Sequence, residues 1–152
     1  MSTGASHLSA SIRFVIAGDG PLKNDFLVRY GQLANVHFLP LQPEEALCEL
    51  LNVADLHVLP QDRGASDLVL PSKLGGMLAT ERRILVTANE GTELHDLLKD
   101  VAIIVPPGDT AALTRGIVAA TDHQPDLYRI RELARSFSRD RNLSELTNVM
   151  LS

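Results

Sequence analysis

The chain has 152 residues, a net charge of −5, 45% hydrophobic residues and 22% charged residues. That length suits one domain with a single core, and the composition excludes a disordered, fibrous or disulfide-rich chain. Interleaved acidic and basic residues argue against a nucleic-acid partner, and no apolar run approaches the ~20 residues that a membrane-spanning helix needs.

Residues 1–11 are small and polar, with no basic start leading into an apolar stretch, so they predict a flexible segment, no secretory leader and cytoplasmic residence. Residues 12–17 (IRFVIA) are almost wholly apolar and rich in β-branched side chains, the pattern of a strand buried on both faces. After Gly18-Asp19-Gly20, Pro21 opens a helix that places Leu22, Phe26, Leu27, Tyr30 and Leu33 on one side. A strand at 36–39 stops at Pro40, and Pro43-Glu44-Glu45 starts a helix with Leu47, Leu50, Leu51 and Ala54 on its apolar face. The single cysteine, Cys48, falls in that pattern and is expected to be a buried thiol.

The unit then recurs in kind. A strand at 56–59 leads through a long loop to a helix at about 71–80; a strand at 84–87 leads through a turn at 89–91 to a helix at 92–98. A strand at 101–105, a helix at 110–121 and two helical patterns at 126–138 and 143–151 complete the chain. Arg129, Arg131, Arg135, Arg139 and Arg141 lie among Glu132 and Asp140, the mixed charge of a solvated helix face. Strict alternation of apolar strands and helices predicts an α/β, Rossmann-like doubly wound parallel sheet over 12–152, with helices on both faces.

In such a sheet, ligands sit at the carboxyl ends of the strands, where helix amino ends also point unpaired N–H groups. Gly18 and Gly20 serve either a tight strand-to-helix turn or the close approach of a ligand to the main chain. At Pro71-Ser72-Lys73, a cation stands in the first turn of a predicted helix, against the helix dipole. Two explanations are open: a bound anion such as a diphosphate, or an ordinary surface pairing of Lys73 with Asp67 or solvent. Thr92 or its neighbour caps the helix after Asn89-Glu90-Gly91. The five histidines show no metal-ligand spacing, and no metal site is expected.

The order of these words is as telling as their content. Phe14-Val15-Ile16-Ala17-Gly18-Asp19-Gly20-Pro21, Asn35-Val36-His37-Phe38-Leu39-Pro40, Ala54-Asp55-Leu56-His57-Val58-Leu59-Pro60, Leu70-Pro71-Ser72-Lys73-Leu74, Gly91-Thr92-Glu93-Leu94 and Val105-Pro106-Pro107-Gly108-Asp109 follow in turn. Together they resemble the carboxyl-terminal domain of group 1 glycosyltransferases of the GT-B fold, most of all those of colanic acid and related exopolysaccharide pathways. The resemblance implies a domain that holds the donor of a sugar transfer, a nucleoside-diphosphate sugar, with no separate cofactor. It assigns Gly18 and Gly20 to the donor site, sets Leu39 and Pro40 beside the nucleobase, and brings Ser72 and Lys73 to the diphosphate. The loop from Asp67 to Leu70 then borders the sugar, with Gly76 close by.

The resemblance also implies partners, namely an amino-terminal acceptor domain and a polysaccharide or lipid-linked acceptor, with peripheral attachment at the inner membrane face. This chain is then expected to lack the opening strand of the complete domain and its glycine-lysine loop, and to be inactive in isolation. Catalytic residues are unassigned. Relatives carry two glutamates eight positions apart where Leu68 and Gly76 stand here, and a glycine and a proline where Glu81 and Arg83 stand. Two other readings are a non-catalytic nucleotide-binding or self-associating scaffold and a fragment of a nucleotide-sugar epimerase, which would need acid and base carboxylates of its own.

Overall fold

The computed structural model describes residues 12–61 and 73–150, the stretch 140–150 by its backbone alone. The segment 1–11, expected to be flexible, lies outside the described residues. The chain divides into two compact units, Met1–Cys48 and Glu49–Ser152.

The first unit holds β1 (Phe14–Ala17), α1 (Lys23–Tyr30), β2 (Val36–Leu39) and the first half of α2 (Glu44–Val53). β1 and β2 pair in parallel, from Phe14 opposite Val36 to Ala17 opposite Leu39. A strand buried on both faces was the expectation for β1, yet Phe14, Val15 and Ile16 are 38%, 47% and 42% exposed. Two strands and one crossover helix supply too little surface to cover both faces of a sheet. Cys48 also departs from expectation, being exposed rather than buried. On α2 the half-buried positions include Ala46, Leu50 and Leu51, and Cys48 is two residues, more than half a turn, from both Ala46 and Leu50.

The second unit holds β3 (Leu56–Leu59), α3 (Leu74–Ala79), β4 (Arg83–Thr87), α4 (Glu93–Leu98), β5 (Ile103–Val105), α5 (Thr110–Asp122) and α6 (Leu127–Met150). Its strands form a parallel sheet in the order β3-β4-β5. Side-chain alternation divides the core in two. Leu59, Ile84, Val86 and Ile104 join Leu74 and Leu78 of α3, Leu94 and Leu98 of α4 and Ile130 of α6. On the other face Leu56, Val58, Leu85, Ile103 and Val105 join Ala112, Leu113 and Ile117 of α5. The architecture is therefore α/β and Rossmann-like, with parallel sheets flanked by helices, as the alternation predicted.

Local chemistry sets most boundaries. Thr92 caps α4 by accepting from the His95 amide at 3.2 Å, and Asp109 caps α5 by accepting from the Ala112 amide at 2.8 Å. The strand expected from 101 starts at Ile103, because the amides of Val101 and Ala102 both close back onto the Leu98 carbonyl at 2.9 Å. The two helices expected at the carboxyl end are one, α6, since 127–150 contains no glycine or proline to break it. Its arginines behave as a solvated face: Arg129 pairs with Asp100 at 3.1 Å and Arg135 with Glu132 at 2.8 Å.

Glu81 follows α3 with φ at 58°, in the left-handed region that helix ends usually reserve for glycine. Glu81 thus meets a backbone requirement without the glycine. Arg131 of α6 donates from Nε and an η-nitrogen to the two Glu81 carboxylate oxygens, at 2.7 and 2.8 Å. This fork staples α6 to the turn between α3 and β4, and hydrogen bonding to Arg131 holds the Glu81 carboxyl below its usual range.

Candidate functional site

In the first unit, parallel pairing brings the loops after β1 and β2 to the same rim. The Gly18 amide donates to the Leu39 carbonyl at 3.3 Å, so Gly18, Gly20, Leu39 and Pro40 come together. Gly18 has φ at 140°, and a Cβ added at either glycine would meet no described atom within 4 Å. Among the described residues nothing crowds either glycine, and only glycine adopts the Gly18 backbone without strain. Pro40 is exposed, and its carbonyl accepts from the Gln42 side-chain amide at 2.9 Å.

Asp19, which carried no role in the sequence reading, ties this rim. One carboxylate oxygen pairs with the Lys23 ammonium and the other accepts from the Leu41 amide at 3.1 Å. Hydrogen bonding to Lys23, then to the Leu41 amide, holds its carboxyl below the usual carboxylate range. An acidic residue between two glycines, four before a lysine, was the available local signal; the bond to Leu41 is long-range and had none.

In the second unit the carboxyl rim comprises the chain after Leu59, Thr87 and Val105. Lys73 is exposed at the N-cap position of α3, one residue before the helix rather than in its first turn. Among the described residues its ammonium has no hydrogen bond or ion pair. Asp67, Leu70 and Ser72 lie outside the described residues. Gly76 faces α2: a Cβ there would stand 3.0 Å from Leu51 Cδ1, so its missing side chain admits close helix packing.

Among the described residues two polar side chains are buried, Thr87 at the carboxyl end of β4 and His57 toward the amino end of β3. The Thr87 hydroxyl accepts from the Gln61 amide at 2.6 Å and donates to the Gln61 carbonyl at 2.9 Å. His57 Nε2 lies 2.9 Å from Thr80 Oγ1, whose own proton goes to the Met77 carbonyl at 2.7 Å, so the imidazole is the donor. Burial, then the nearby Arg82 charge, pushes the His57 pKa below 6.5. The unfolded chain therefore takes up this proton first as pH falls through 6.5, and stability declines below that point and is complete above it. The thermal midpoint should fall from about pH 7 to pH 5, and His57→Gln should flatten that part of the profile. An unchanged slope in the variant would mean that a group other than His57 carries the acid sensitivity of this range.

Among the described residues, no three His, Cys, Asp or Glu are grouped to hold a metal, and no helix is long and apolar enough to cross a membrane.

Comparison with known proteins matches this arrangement to a family. The relative named "Putative colanic acid biosynthesis glycosyl transferase WcaI", from Escherichia coli (strain K12), is 39% identical over 103 residues, covering 66% of this chain. The matched region is 25% of that relative's length, so the chain spans about a quarter of it. The model of the family described as glycosyl transferases group 1 matches residues 5–123. With the Gly18-Asp19-Gly20 rim, the parallel sheets and the Thr92 and Asp109 caps all inside that stretch, the chain belongs to the group 1 glycosyltransferases.

Proposed function

We propose that the chain is the donor-binding part of a glycosyltransferase that moves a sugar from a nucleoside-diphosphate sugar to a polysaccharide or lipid-linked acceptor. Family membership supports sugar transfer in general, and the named relative supports an exopolysaccharide product. The observation that carries the donor role is Lys73, a solvent-facing cation at the head of α3 with no partner among the described residues. Two negative charges on a leaving diphosphate would meet that ammonium and the first N–H groups of α3, and the interaction strengthens as the anomeric bond breaks. Transfer itself needs an acceptor whose hydroxyl attacks and a group to take its proton, the acceptor being held and the base supplied by a partner domain, so the isolated chain binds without turning over.

Titrating uridine and guanosine diphosphates and their sugars against the chain tests this reading. Lys73→Ala should weaken diphosphate binding by about 1.5–3 kcal/mol, roughly ten- to a hundredfold, with the thermal midpoint unchanged. Equal affinity of variant and parent would remove Lys73 from the phosphate site. No binding of any of the four ligands by the parent would leave the non-catalytic scaffold as the better account.

A further inference from the structure

Where β3 ends, the backbone ladder meets an obstacle. The register runs to Leu59 opposite Val86, and the next residue, Pro60, has no N–H to donate. Gln61 then leaves the sheet with an amide and a carbonyl that no strand partner can reach. Thr87, 4% exposed and last in β4, takes both: its hydroxyl accepts from the Gln61 amide and donates to the Gln61 carbonyl. A hydroxyl has one proton and accepts through lone pairs, so this two-way clasp uses Thr87 as donor and acceptor at once. A side chain without a hydroxyl would leave both backbone groups of half-buried Gln61 unmatched.

The clasp sets the distance between the carboxyl ends of β3 and β4, the place where open parallel sheets receive ligands. We infer that Thr87 is a positioning residue of the donor site: it touches no ligand, and it fixes the end of β3 at the rim where such a ligand would sit. This assignment rests on the donor reading above. Fold stability alone would also be served by the two hydrogen bonds, so the test must separate placement from stability.

Three forms of the chain suffice: the parent, Thr87→Val, which keeps the shape and loses the hydroxyl, and Thr87→Ser, which keeps the hydroxyl. Amide exchange at Gln61, affinity for uridine and guanosine diphosphates and the urea midpoint are measured on each. Thr87→Val should speed Gln61 exchange and weaken diphosphate binding about tenfold at ligand concentrations where the chain stays folded. Thr87→Ser should restore both. If Thr87→Val does not fold, Gln61→Pro removes the donated amide with Thr87 intact and should weaken binding likewise. Parent-like affinity in the folded valine variant, or in the proline variant, would overturn the assignment. A parent that binds neither diphosphate would overturn the donor reading and this role with it, while Gln61 exchange would still report whether the clasp exists.

Discussion

Gly116→Val should cost the protein about 1–3 kcal/mol or more, seen as a lower urea midpoint with an unchanged denaturant slope. The reason is the way α5 approaches the sheet. Its buried positions are Ala112, Gly116 and Ala120, a small residue at every fourth place, so the helix backbone lies close over β4 and β5. A Cβ at Gly116 would stand 2.7 Å from Leu85 Cδ1, closer than carbon atoms pack, and 3.2 Å from Val105 Cγ1, a tight contact. Leu85 is fully buried and has little room to turn aside. Gly116→Ala should cost less than valine, since one methyl can be met by rotation of the Leu85 branch. A valine variant as stable as the parent would mean that α5 stands off the sheet.

Leu78→Ala is the second large effect, at about 2–5 kcal/mol, the range for emptying a buried leucine site that cannot collapse. Leu78 is fully buried in the cluster that joins α3, α4 and α6 to one face of β3-β4-β5. Leu85→Ala should fall in the same range, but Leu85 belongs to the opposite cluster, with Val105 and Ala112. The two sites share no cluster partner, so the double variant should lose the sum of the two within about 0.5 kcal/mol. A marked departure from the sum would show that the β-sheet transmits strain between its faces. Urea unfolding of the four forms decides it.

These packing details show which parts of the fold could be read in advance. The strands at 36–39 and 56–59 were bounded correctly because Pro40 and Pro60 stop them, and Thr92 and Asp109 mark helix starts by their own side chains. Parallel architecture followed from alternation of apolar strands with helices. Distant pairings left no such mark. Arg131 reaches Glu81 fifty positions away, and Thr87 reaches Gln61 twenty-six away. Cys48 was misplaced because its neighbours' apolarity says nothing about which side of a helix finds cover. At the site, the approach of Gly18 and Gly20 to Leu39 and Pro40 follows from strand pairing, whereas the ligand class came from motif resemblance and Lys73. Thr87 was invisible because Gln61 reaches it only in the fold, whereas Asp19 had a local mark in Lys23 and only its bond to Leu41 depends on the fold.

Among the described residues of the first unit, none is buried, whereas the second carries two sealed clusters. Cooperative protection against unfolding grows with sealed apolar area, so the halves should open at different free energies. Native-state deuterium uptake should therefore be biphasic, with amides of β1, α1 and β2 labelling well before those of β4. During refolding, that same asymmetry would let the carboxyl-terminal part set first and leave Phe14, Val15 and Ile16 as the adhesive patch that chaperones meet.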